Sequence, residues 1–112
     1  MSDAFWKKLD HLLATSRFIV DRPKDSTHPN HSSVTYPLDY GYLENTTGGD
    51  GQPIDVWSGS LSSAGLEAVV CTVDLLKRDL EVKLLIGCTD EDKQVICDFH
   101  TARNSAAVLV ER

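Results

Sequence analysis

The sequence predicts a mainly β, α+β fold, a small OB-like closed β-barrel with an N-terminal and a C-terminal flanking helix. Three observations carry this expectation. Short runs of β-branched and aromatic residues, punctuated by Gly, Pro, Asn and Asp, recur from Arg17 to Val110. Helical spacing of apolar residues is confined to one stretch near the start and one after Thr89. The 112 residues, 41% hydrophobic and 25% charged, suit one domain over residues 1–112 with a single modest core. Many short strands that each bury one face must close on themselves or pack against a further layer, which favours a small barrel.

The elements follow in order. Ser2 or Asp3 caps a first helix whose Phe5, Trp6, Leu9, Leu12 and Leu13 form one apolar stripe. Arg17 to Asp21 reads as a short strand, and Arg22 to Ser33, broken by Pro23 and Pro29, as a polar loop. Val34-Thr35-Tyr36 is strand-like, Pro37 interrupts it, and Tyr40 to Leu43 resumes a half-buried pattern. Asn45 to Gly51 is turn chemistry. Ile54 to Trp57, Leu66 to Leu76 and Leu80 to Cys88 then predict three pairable strands, the last two joined by the charged turn Lys77-Arg78-Asp79. Thr89 followed by Asp90, Glu91 and Asp92 is an N-cap with a negative first turn, starting a helix from about Asp90 to Thr101 with Val95, Ile96 and Phe99 on its apolar side. Ala106 to Val110 supplies a last strand.

Charge and composition exclude several function classes. A net charge of −6 opposes binding to nucleic acid or to an anionic membrane, and no aromatic and basic stripe offsets it. No apolar run reaches the ~18 residues of a membrane span, and no signal-peptide pattern opens the chain. Cys71, Cys88 and Cys97 are odd in number and sit in apolar runs. They are expected to be mostly buried and unpaired, as in a reducing compartment, which places the protein in the cytoplasm.

The chemically informative stretch runs from Tyr36 to Asp55. Asp50 and Asp55 bracket a Gly-x-Pro turn that folds the chain back and brings two carboxylates to the mouth of a strand. Converging carboxylates repel unless a proton or divalent cation lies between them, and such hard oxygen ligands suit Mg²⁺. An Asp-Gly turn with a second aspartate nearby is also ordinary turn chemistry, and spacing alone favours that plainer account. Glu81 and Lys83 share one strand face, where a lysine beside carboxylates grips a phosphate oxygen or merely forms a weak solvated ion pair. Tyr40 and Tyr42 point the same way, as rim residues or as phenol donors to phosphate. His28, His31 and His100 lack metal-ligand spacing and read as loop or surface residues. No nucleophile motif and no Gly-x-x-x-x-Gly-Lys loop is present.

Tyr36-Pro37-Leu38-Asp39-Tyr40-Gly41-Tyr42, followed by Asp50-Gly51-Gln52-Pro53-Ile54-Asp55-Val56, resembles the signature of soluble family I inorganic pyrophosphatases. Val20-Asp21-Arg22-Pro23-Lys24 is similar to that family's early strand, and Glu81-Val82-Lys83 to its Asp-x-Lys. The resemblance covers roughly Phe18 to Ile86. It implies a pyrophosphatase-like fold and Mg²⁺-dependent hydrolysis of pyrophosphate, with Mn²⁺ as an alternative metal. Asp50, Asp55 and Asp79 would bind metal, and Glu81 stands where the family has a further aspartate. Tyr40 and Lys83 would act on the phosphate, Tyr36 would shape its pocket, and Asp21 would be a peripheral acidic group. The resemblance also allows a homo-oligomer.

The departures weaken that site. Gln52 occupies the catalytic position of a family aspartate that handles the attacking water, and an amide takes no proton at neutral pH. A family hairpin is replaced by the short loop Asp25 to Ser33, with Arg22, Lys24 and His31 as substitutes for its phosphate-binding arginine. The family's C-terminal Tyr-Lys pair finds no match before Arg112. Two functions follow as expectations: a hydrolase of pyrophosphate or a related phosphoanhydride with a reduced site, or a non-catalytic module of this fold that binds a phosphorylated ligand or a protein partner.

Overall fold

Helical spacing of Trp6, Leu9, Leu12 and Leu13 produces α1 (Asp3–Ala14) in the computed structural model, which describes residues 3–61 and 65–112. The proposed cap Ser2 lies outside the described residues. Phe5, assigned to the apolar stripe, is instead 46% exposed and sits edge-on to Trp6. The strands are β1 (Phe18–Arg22), β2 (Thr27–His28), β3 (His31–Thr35), β4 (Asp39–Leu43), β5 (Asp55–Ser58), β6 (Leu66–Asp74), β7 (Asp79–Ile86) and β8 (Ser105–Glu111), with α2 (Asp90–Phe99) before β8.

Two expectations need correction. The polar loop from Arg22 to Ser33 contains a hairpin, β2 paired antiparallel with β3. Pro29 and Asn30 form its turn, and the Asn30 N–H donates to His28 Nδ1 at 3.0 Å. Alternation is weak there because nearly every residue is exposed, so the pattern that marks a half-buried strand is missing. The barrel also does not close through strand pairing: the main sheet runs β1-β4-β5-β7-β6-β8, and no ladder joins β1 to β8 among the described residues. Helix α1 occupies that side. Its Trp6 shares a cluster with Leu43, Val56, Val69 and Leu84, against which Phe18 of one edge strand and Val110 of the other also pack. Arg112, just beyond β8, reaches back to Asp10 of α1 with nitrogen–oxygen distances of 2.8 and 2.6 Å.

Because strand side chains alternate, the opposite face of the sheet carries a second cluster: Trp57, Ala68, Val70 and Leu85 with Tyr36, Leu38 and Ile96. Helix α2 therefore covers one face and α1 the other. Strand β5 pairs in parallel with β7, Val56 opposite Leu84 and Trp57 opposite Leu85, and antiparallel with β4. Gly41 in β4 permits the close approach of β1, since a Cβ there would run into the Ile19 carbonyl. The cysteines are free, but only Cys88 is buried; Cys71 and Cys97 are half-buried. Burial, with Asp92 nearby, pushes the Cys88 thiol up to about 12. No helix among the described residues is long and apolar enough to cross a membrane.

The start of α2 is fixed by a reciprocal cap. Thr89 Oγ1 accepts from the Asp92 N–H, and Asp92 Oδ2 accepts from the Thr89 N–H, both at 3.0 Å. Asp92 also accepts from the Ser60 N–H and hydroxyl at 2.8 Å, so the cap ties the helix to the segment after β5. Thr89→Ala should cost about 1 kcal/mol in urea denaturation, and Thr89→Ser much less. Equal losses for the two substitutions would show that the hydroxyl is not the stabilising group.

Candidate active site

Lys83 gathers the site. Its position on β7 faces the α2 side of the sheet, where its side chain is only 7% exposed. A buried ammonium needs partners for its N–H groups and for its charge. Its Nζ donates to Tyr40 Oη and to Asp55 Oδ2, each at 2.7 Å, and Glu81 Oε2 lies 3.7 Å away. Tyr40 stands on β4, Asp55 opens β5, and Glu81 lies two residues before Lys83 on β7, so three adjacent strands supply the partners. Sequence spacing showed Glu81 and Lys83 on one face. It could not show that the parallel β5–β7 pairing sets Asp55 beside them.

The turn before β5 delivers Asp50. Gly51, at φ +82°, takes a left-handed conformation that glycine adopts at little cost. Asp50 Oδ1 accepts from the Gln52 N–H at 2.9 Å, and the Gly48 N–H donates to the Gln52 carbonyl at 2.6 Å. The Gln52 N–H holds the Asp50 carboxyl below the usual carboxylate range. Burial raises Glu81, with Lys83 opposing and Asp55, Asp50 and Asp79 adding to the rise. Burial and then the charge of Asp55 hold the Tyr40 phenol protonated far above its ordinary range.

Two depressions meet at Glu81. Asp50, Asp55 and Glu81 line one of about 310 Å³, together with Phe5 and Leu9 of α1. Tyr36, Tyr40, Glu81 and Lys83 line a larger cleft of about 470 Å³ beneath the β2–β3 hairpin and the end of α2. Among the described residues, no three His, Cys, Asp or Glu side chains stand together closely enough to hold a metal ion unaided. The donor chemistry nevertheless fits a hard divalent cation. Asp50, Asp55 and Glu81 offer only oxygens around one depression, and carboxylates gathered there repel one another unless a proton or cation offsets them.

The remaining expected residues lie farther out. Asp79 faces a shallow depression at the tip of the β6–β7 hairpin, though its charge still contributes to raising Glu81. Gln52 is exposed and lines neither depression. Arg22 pairs with the adjacent Asp21 at 3.2 Å, and Lys24 is exposed, its backbone N–H donating to Asp39. Neither basic residue lines the larger cleft, and nor does His31.

His100, expected at the surface, is a cleft residue. Its Nε2 accepts from Trp57 Nε1 at 3.0 Å, and burial lowers its pKa to about 4, with Lys83 and Lys77 contributing. Extending the α2 stripe four residues beyond Ile96 would have found it. Lys77, Thr72 and Asp74 also line the cleft without having been singled out, because they face it only once β6 lies beside β7.

Residues 7–99 match the family model for inorganic pyrophosphatase. No curated protein and no solved structure matches the chain.

Protonated His100 could no longer accept the Trp57 N–H. Its folded pKa of about 4 lies below the ordinary 6.5, so the unfolded chain binds the extra proton between those values. Stability associated with neutral His100 is thus present above about pH 6.5 and is lost as pH falls toward 4, by on the order of 3 kcal/mol. Urea denaturation at pH 4 and pH 7 should show a smaller pH-dependent loss in His100→Gln, which keeps an acceptor for Trp57, than in the parent. Identical losses would contradict this assignment.

Proposed function

The chain belongs to the inorganic pyrophosphatase family, and from that premise we propose that it hydrolyses inorganic pyrophosphate or a related phosphoanhydride to phosphate in a Mg²⁺-dependent reaction. The observation that carries this reading is the buried Lys83 ammonium, shared between Tyr40 and Asp55, with Glu81 and Asp50 beside it. One cation and one phenol face a cleft bordered by carboxylates, which is the complement of a phosphoanhydride that arrives with a divalent metal.

Asp50, Asp55 and Glu81 would hold Mg²⁺, which when bound lowers the pKa of water and offsets charge on phosphate oxygens. Lys83 donates to a phosphate oxygen on the leaving side, Tyr40 orients the lysine and adds its own donor, and Tyr36 walls the pocket. Asp79 adds negative charge at the hairpin tip without joining the carboxylate group. Arg22 and Lys24 are not needed for binding in this account, and Asp21 serves mainly to pair Arg22.

The test is phosphate release from pyrophosphate with Mg²⁺, compared with EDTA. Asp50→Asn is the informative variant, because an amide oxygen still accepts from the Gln52 N–H while the charge is lost. Its Mg²⁺ midpoint should rise about tenfold or more with the melting temperature unchanged. Unaltered metal dependence, or no hydrolysis of any phosphoanhydride by the parent, overturns the reading and leaves a binding module.

Gln52 sets the expected rate. A carboxylate that accepts the proton of the attacking water contributes typically ~10² to 10⁴. Slow parental turnover is therefore expected, and Gln52→Asp should recover part of that range with Mg²⁺ while lowering stability without it, because it adds a negative group beside Asp50. A parental rate of about 10 per second or more would show that Gln52 disables nothing.

A further inference from the structure

We propose that the phosphoanhydride taken by this site is the diphosphate monoester of an apolar alcohol, whose chain lies in the depression between α1 and the edge of β7; the proposal rests on the pyrophosphatase reading above. That depression arises from strand register. Val56 pairs with Leu84 and β5 begins at Asp55, so β7 from Asp79 to Val82 extends past the start of β5 and faces the turn from Gly48 to Pro53 across the hollow. Alternation turns Leu80, Val82 and Leu84 to the α1 face. Leu84 is buried in the cluster with Trp6 of α1, whereas Leu80 is 74% and Val82 51% exposed.

The lining divides by chemistry. Phe5, Leu9, Pro53, Ile54, Leu80 and Val82 give this hollow of about 310 Å³ an apolar wall, and Asp50, Asp55 and Glu81 are its charged groups among the described residues. Single exposed apolar side chains are ordinary, but Phe5, Leu80 and Val82 gather around one hollow whose volume lies at the low end of the ~300–1,000 Å³ of small-ligand sites. The carboxylates that would hold Mg²⁺ thus border apolar surface on one side and Lys83 on the other. The step across is short. Asp55, in the wall of the hollow, lies 2.7 Å from Lys83 Nζ, and Glu81 lines both depressions. Bare pyrophosphate leaves the apolar wall unused. A monoester uses both depressions, with its inner phosphate at Lys83, its terminal phosphate in the larger cleft and its chain passing Asp55 onto Leu80 and Val82. Three carboxylates alone would suit an alkylammonium, but the adjoining Lys83 ammonium favours an anion once a metal offsets their charge.

In the corresponding reaction, water oxygen bonds to the terminal phosphorus and the bond from that phosphorus to the bridging oxygen breaks. The bond pair stays with the departing alkyl monophosphate, the terminal phosphorus leaves as inorganic phosphate, and the proton lost from water passes to solvent.

Calorimetric titration of the full chain with methylenediphosphonate and with its octyl monoester, neither of which is hydrolysed at the bridge, tests the assignment in the presence of Mg²⁺. The octyl monoester should bind about tenfold more tightly or better, with a more negative heat-capacity change from apolar burial. Leu80→Ser should weaken its binding about tenfold and leave methylenediphosphonate binding unchanged, whereas Leu80→Met, which keeps apolar bulk, should retain it. Equal binding of the two probes, or octyl binding indifferent to Leu80→Ser, overturns the chain assignment, while phosphate release from pyrophosphate keeps the pyrophosphatase reading. Octylamine binding as tightly without Mg²⁺ assigns the hollow to a cation, and a parent dimer in sedimentation that Leu80→Ser dissociates assigns the face to a second copy; either result overturns the proposal. Failure to bind methylenediphosphonate together with failure to hydrolyse any phosphoanhydride removes both readings.

Discussion

A buried lysine in the middle of a β-sheet is stable only if its charge and its N–H groups are met from within the protein. Lys83 meets this requirement with a phenol from β4, a carboxylate from the first residue of β5 and a second carboxylate from its own strand. Registers that otherwise look unrelated are thereby coupled. Tyr40 must pair opposite Trp57, and Val56 opposite Leu84, for the three groups to converge. Shifting any of these strands by one residue would turn a partner to the α1 face and leave a buried charge alone.

The same requirement accounts for the division of labour between the two faces. The α1 side is apolar at Trp6, Leu43 and Val69 and holds no comparable buried charge among the described residues. The α2 side combines a packed centre, Trp57, Leu85 and Ile96, with a polar margin where the sheet opens toward the β2–β3 hairpin. Lys83 and Tyr40 sit on that margin, and the depression shared by Asp50, Asp55 and Glu81 borders Phe5 and Leu9 of α1, so Glu81 stands where the two meet. Trp57 links the two zones: its ring packs in the core, and its N–H reaches His100 at the cleft wall.

Much of this was legible in the sequence where a residue's role is local. The cap at Thr89, the turn around Gly51 and the shared face of Glu81 and Lys83 follow from spacing and side-chain chemistry. Of the hairpin at Thr27–His28 and His31–Thr35, only the strand character of Val34 and Thr35 is legible, because an exposed strand has no hydrophobic alternation to betray it. Closure of the barrel is the expectation from many short strands that each bury one face, and a helix that covers that face instead leaves no mark in the strands themselves. His100 and Lys77 came to line the cleft through long-range packing, while Asp79, two residues before Glu81 on the same strand, lines the hairpin-tip depression and Gln52, on the turn that carries Asp50, is exposed.

The parallel pairing of β5 with β7 has a consequence for the order of assembly. The turn between Asp74 and Asp79 lets β6 and β7 zip together with little loop-closure entropy, whereas β8 lies along β6 only after a longer excursion through α2. Asp55 and Tyr40 lie 28 and 43 residues from Lys83, so their contacts carry the larger closure cost. The lysine stays hydrated until those distant strands dock, and the docking that dehydrates it also creates the cleft. The β6–β7 hairpin alone supplies Lys83 and Glu81 but neither Asp55 nor Tyr40, so ligand binding at the lysine reports completion of the fold rather than its beginning.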